Sequence, residues 1–140
     1  MPYLRTAKAE VIGGNLSLLY ALIGSPSDVN TTNKILFIED LNEYFYHLDR
    51  MIISLKRARK FENLAGLIVG GFTDMKDNET PFGKTYQEII VDAVKEFNFP
   101  ICLDFPAGHI ENNFALKLGG VLNLNVSDNA VVAESVELPY

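Results

Sequence analysis

The chain has 140 residues, with 12 Lys and Arg against 18 Asp and Glu, and is 48% hydrophobic. That length and composition suit one globular domain with a real core and exclude disorder throughout. The formal charge of −6 argues against a nucleic-acid or anionic-membrane surface, because binding phosphates requires clustered Lys and Arg. A single cysteine, Cys102, excludes an internal disulfide and a Cys-based zinc site. No apolar run approaches the ~20 residues that span a bilayer. The N-terminus also lacks a charged-then-apolar signal pattern, so the expected location is the cytoplasm.

In chain order, Met1 to Ala9 are weakly patterned and read as a leader into the fold. Glu10-Val11-Ile12 predicts a short strand stopped by Gly13-Gly14. Asn15 then suits the N-cap of an apolar helix over Leu16 to Ile23. The stretch from Gly24 to Asn33 is turn chemistry and predicts a loop. Ile35-Leu36-Phe37-Ile38 is a continuous apolar run, the pattern of a strand covered on both faces. From about Glu43 to Lys60 the period becomes helical, with Phe45, Leu48, Met51, Ile52 and Leu55 on one side.

Leu67-Ile68-Val69 predicts a second buried strand closed by Gly70-Gly71, followed by a polar loop from Thr73 to Thr80. A second amphipathic helix is expected from Pro81 or Phe82, carrying Tyr86, Ile89, Ile90, Ala93, Val94 and Phe97 inward. Pro100 ends that pattern, and Ile101-Cys102-Leu103 predicts a third buried strand. The remainder alternates around Gly119-Gly120 and Ser127-Asp128-Asn129. It predicts antiparallel strands near Phe114–Leu118, Val121–Asn125 and Ala130–Val136. Alternating strands and helices imply parallel pairing with right-handed crossovers. The fold class is therefore α/β, a mixed sheet with antiparallel strands at its C-terminal end.

Two acid–base residues fall just past the ends of predicted buried strands: Glu39 after Ile38, and His109 in the loop after Leu103. Ligands gather at that edge of open α/β sheets, where loops open into a crevice. A carboxylate beside an imidazole is the orienting half of a nucleophilic triad. The structural alternative is that Glu39 caps the helix near Glu43 and His109 is a turn residue. His47 lies within the first long helix and reads as a surface or packing residue. Cys102, inside an apolar strand, reads as a small core residue. Glu39, Asp40, Asp104 and His109 could supply metal ligands, but no paired-His or Cys spacing supports a metal. No serine falls on a strand–turn–helix elbow, so the nucleophile of a triad is missing.

Several segments together carry a resemblance. Gly13-Gly14-Asn15-Leu16-Ser17, Ile23-Gly24-Ser25-Pro26, Ile35 to Glu43, Leu48-Asp49-Arg50-Met51, Gly66 to Phe72 and Gly108-His109 stand in order across most of the chain. They resemble the C-terminal half of LD-carboxypeptidases, a family that includes the microcin-immunity peptidases. The resemblance implies a three-layer swivelling β/β/α domain of a two-domain serine peptidase with a Ser-Glu-His triad. By that likeness Glu39 is the family acid, His109 the family histidine, and Asn15 a residue that helps position substrate. Arg50 is expected in a structural ion pair. Residues 1–140 then form a single domain whose nucleophile domain, expected before Gly13, is absent. The implied partners are that N-terminal domain and a murein tetrapeptide, with no metal or organic cofactor. An isolated domain is expected to be inactive and to self-associate through its uncovered apolar surface. The competing reading is a non-enzymatic binding module derived from this domain.

Overall fold

The computed structural model describes residues 4–137. The described residues open with a twelve-residue strand, β1 (Leu4–Asn15), that changes partner midway. Its first half, Leu4 to Glu10, pairs antiparallel with Ser127 to Val121. Its second half, Val11 to Asn15, pairs parallel with Ile35 to Glu39. The elements that follow are α1 (Leu16–Leu22), β2 (Ile35–Leu41), α2 (Phe45–Arg57), β3 (Gly66–Thr73), α3 (Tyr86–Val94), β4 (Ile101–Cys102), β5 (Val121–Ser127) and β6 (Val131–Val136). The six strands form one mixed sheet in the order β4-β3-β2-β1-β5-β6.

Strands β1 to β4 run parallel, each linked to the next by a helix. Crossovers of one hand, advancing in one direction, place all three helices on the same face. That face holds Leu36, Ile38, Leu67 and Val69 against Leu16, Leu48, Met51, Ile52, Ile89 and Ile90. Each such side chain, fully buried, contributes about 1.5–3 kcal/mol of transfer free energy. The opposite face carries Ile35, Phe37, Ile68 and Cys102, and it is covered by Leu122, Leu124 and Val126 of β5. Leu124 Cδ2 lies 3.3 Å from where a Cβ on Gly66 would stand, although β2 and β1 separate their strands in the sheet. The sheet therefore curls back over itself, giving the β/β/α layering that the resemblance implied.

Four expectations are corrected. Leu4 to Ala9 are no leader but half of β1, while Met1 to Tyr3 lie outside the described residues. The inward side chains Arg5, Ala7 and Ala9 are mostly small, and the bulk opposite them comes from Val126, Leu124 and Leu122. Gly13-Gly14 continue β1 rather than stop it. A Cβ on Gly13 would stand 2.0 Å from the Phe37 carbonyl oxygen. Phe114–Leu118 is not a strand, because both edges of β5 are already taken by β1 and β6. Finally, α3 begins at Tyr86, where Thr85 and Glu88 form a reciprocal capping box.

Candidate functional site at the strand ends

Near its C-terminal end β2 carries two consecutive carboxylates, Glu39 and Asp40, that are 5% and 2% exposed. Strand alternation sends them to opposite faces. Glu39 follows Ile35 and Phe37 onto the β-covered side, and Asp40 follows Leu36 and Ile38 toward the helices. A buried carboxylate needs partners, and each has them.

Glu39 Oε2 accepts a hydrogen bond from His109 Nδ1 at 2.7 Å and one from the His109 backbone N–H at 3.3 Å. The contact spans 70 residues of sequence. A carboxylate oxygen accepts, so Nδ1 carries the proton and the outward Nε2 presents its lone pair. The His109 side chain is 53% exposed whereas that of Glu39 is 7% exposed. The Glu39 hydrogen bond, then its charge, with a smaller contribution from Asp40, raise the imidazole pKa above its ordinary value against a small desolvation cost.

Glycines make this approach possible. Gly108, at φ 114°, would place a Cβ 2.8 Å from Glu39 Cβ. Opposite Glu39 the β2–β3 register shifts between Ile38 and Asp40, leaving Gly70 and Gly71 out of step. The His109 loop docks there: the Gly71 N–H donates to Ala107 O at 2.9 Å, and Thr73 Oγ1 donates to His109 O at 2.6 Å. Non-glycine residues Asn42, Asp74 and Asp104 take positive φ just beyond β2, β3 and β4.

Asn15 lies opposite Glu39 in the parallel register. Its Oδ1 accepts from the Leu18 N–H, capping α1, and its Nδ2 donates to Asp40 Oδ1 at 3.1 Å. Its second amide hydrogen makes no hydrogen bond among the described residues. The sequence reading missed Ser17, whose hydroxyl donates to Asp40 Oδ2 at 2.7 Å with Glu43 Oε1 3.0 Å away. Glu43 Oε2 in turn meets His47 Nδ1 at 2.6 Å, and Tyr20 packs edge-on against the His47 ring. The only sequence signal for this network was Ser17 at the start of a helix, two residues after its cap.

The capping alternative for Glu39 fails, because Tyr44 is the N-cap of α2 and no side chain caps it. Arg50 departs from expectation as well: its guanidinium lies over the Tyr46 ring at 5.7 Å. Among the described residues, no carboxylate forms a salt bridge with it. Asp104 is engaged by the Tyr86 hydroxyl and by Gln87 Nε2. Among the described residues no three His, Cys, Asp or Glu side chains are grouped to hold a metal. No described helix is long and apolar enough to cross a membrane.

This is an α/β domain that presents an acid-oriented imidazole at the C-terminal edge of its sheet. The chain belongs to the LD-carboxypeptidase C-terminal domain family, whose sequence profile matches residues 8–124. It is 31% identical over 129 residues to a Bacillus subtilis protein named "Probable murein peptide carboxypeptidase", covering 92% of this chain and 40% of that one. It is 27% identical over 113 residues to the murein tetrapeptide carboxypeptidase of Pseudomonas aeruginosa, covering 80% and 36%. Among solved structures, the muramoyltetrapeptide carboxypeptidase of Oxalobacter formigenes superposes with a TM-score of 0.86 at 23% identity, over 98% of this chain and 48% of that one. The microcin C7 self-immunity protein MccF superposes at 0.79 with 24% identity over 95% and 39%. At those identities the likeness concerns the fold. The chain spans about 40% of the length of the curated relatives it matches most fully.

Proposed function

We propose that this domain supplies the general base and its orienting acid to a serine-type LD-carboxypeptidase that removes the terminal D-amino acid from a murein tetrapeptide. The observation that carries the reading is the Glu39–His109 hydrogen bond, which leaves Nε2 of a half-exposed ring facing outward. The nucleophile is a serine on an N-terminal domain that completes the crevice.

In this mechanism Nε2 takes the proton of the serine hydroxyl as its oxygen attacks the carbonyl before the D-residue. Glu39 holds the imidazole in the required tautomer and stabilises the imidazolium that forms. The imidazolium then protonates the leaving amine as the peptide C–N bond breaks, and an acyl-enzyme remains. Water, deprotonated by the same nitrogen, hydrolyses the ester and regenerates the serine. Asn15 contributes its spare amide hydrogen to substrate placement. The murein substrate is preferred over a microcin-like acyl nucleotide because two of the curated relatives, including the Bacillus subtilis protein, bear murein-peptide names. The reading places the reaction in the cytoplasm.

The direct test is a chimera in which this chain replaces the corresponding segment of the Bacillus subtilis relative. It releases D-alanine from murein tetrapeptide, and His109→Ala in the chimera abolishes release. Release that survives His109→Ala overturns the assignment. The 140-residue chain alone releases none, and measurable release by it refutes the placement of the nucleophile elsewhere. Without its partner domain the chain self-associates. A strict monomer over a wide concentration range in the analytical ultracentrifuge refutes that.

A further inference from the structure

We propose that Asp40 is a positioning residue for the Glu39–His109 pair, acting by locking together the ends of β1 and β2 that flank Glu39. The inference rests on the reading of Glu39 and His109 as acid and base. It concerns a residue that reaches neither substrate nor His109 directly.

The backbone around Glu39 lacks a regular ladder on one side. Ile38 pairs with Val69 and Asp40 with Phe72, so two steps on β2 match three on β3, and Glu39 falls in the irregularity. On its other side Glu39 stands against Asn15, the last residue of β1. Asp40 closes that side. Its Oδ1 accepts from Asn15 Nδ2 and from the Leu41 N–H at 2.9 Å, and its Oδ2 accepts from the Ser17 N–H at 2.9 Å and the Ser17 hydroxyl. Four donors from β1, α1 and β2 therefore converge on one buried carboxylate adjoining the acid. Glu43 and His47 extend the network into α2.

A charge held by so many donors, away from water, is stiff as well as strong. Only a carboxylate can satisfy all four, since an amide offers one acceptor oxygen and turns its NH2 toward a donor. Asp40 also adds to the field that favours the protonated imidazole. The charged groups acting on His109 are both from β2, Glu39 and Asp40. β3 presents only the Thr73 hydroxyl and two glycines beside the loop. Asp40 thereby supports the pair mechanically, through the strand ends, and electrostatically, from behind Glu39.

The test uses the 140-residue chain and needs no nucleophile, so it fails or succeeds apart from the peptidase assignment. Long-range 1H–15N correlation spectra report the tautomer and the titration of the His109 ring. In the parent chain the neutral ring is the Nδ1–H tautomer. Asp40→Asn raises the Nε2–H population several-fold and lowers the titration midpoint. Ser17→Ala, which loosens the clamp but keeps the charge, shifts the tautomer balance in the same direction and leaves the midpoint nearly in place. A folded Asp40→Asn chain with both readouts unchanged overturns the proposal. If Asp40→Asn does not fold, the tautomer balance of Ser17→Ala decides, and no change there overturns it.

Discussion

Replacing Gly108 by alanine tests whether the site depends on close backbone approach. Gly108 has φ 114°, outside the range of ordinary L-residues, and its missing Cβ would lie 2.8 Å from Glu39 Cβ, 3.0 Å from Cγ and 3.1 Å from Oε2. Backbone strain of this kind costs about 1–3 kcal/mol, and overpacking a tight contact costs about 1–3 kcal/mol more. The loop can relieve the clash by lifting, but it then gives up the hydrogen bond between Glu39 and His109. Either way some 2 kcal/mol or more is lost, roughly 8 °C in melting temperature at about 4 °C per kcal/mol for a domain of this size. Thermal unfolding by circular dichroism reads the first effect, and the His109 tautomer reads the second. A Gly108→Ala chain that melts within about 2 °C of the parent and keeps the Nδ1–H tautomer would refute the argument.

Glu39→Gln removes the carboxylate that raises the His109 pKa. In the parent chain the folded state binds that proton more tightly than the unfolded one. The resulting stability is full below the ordinary imidazole value of about 6.5 and disappears as pH rises through the higher folded value. Urea unfolding across that window shows this pH dependence in the parent and loses it in Glu39→Gln. The same change in the active chimera lowers kcat by about three to four orders of magnitude, the scale of a lost orienting acid. Leu124→Ala opens a hole between the two β layers at a fully buried site, costing about 2–5 kcal/mol in equilibrium denaturation. Burial, with help from Asp104, pushes the Cys102 thiol up to about 11. The native chain at pH 8 therefore resists a thiol-specific disulfide reagent, and urea exposes one reactive equivalent.

The parallel βαβ frame was legible because its signals are local. Ile35–Ile38 and Leu67–Val69 are uninterrupted apolar runs, and the 3.6-residue period from Phe45 to Leu55 is strong. Both survive in β2, β3 and α2. The first half of β1 was not legible, since Arg5, Ala7 and Ala9 carry little apolar signal of their own and depend on β5 for bulk. The Thr85–Glu88 capping box was readable but hidden by the stronger breaker signal of Pro81 and Gly83. Phe114 to Leu118 alternate like a strand, yet pairing is settled by which edges are vacant, and β5 has none.

The sequence by itself determined that Glu39 follows one buried apolar run and that His109 lies in the loop after another, because an apolar run that gives way to polar residues marks its own boundary. It also determined that residues such as Gly108, Gly70 and Gly71 carry no side chain. Whether the acid and the imidazole meet was a tertiary decision. It required β2 and β4 to flank β3, a register shift at Gly70–Gly71, and a loop that packs into it. The hold of Asp40 on Asn15 and Ser17 was likewise beyond the linear pattern, because hydrogen-bond direction exists only once strand alternation has turned neighbouring carboxylates to opposite faces.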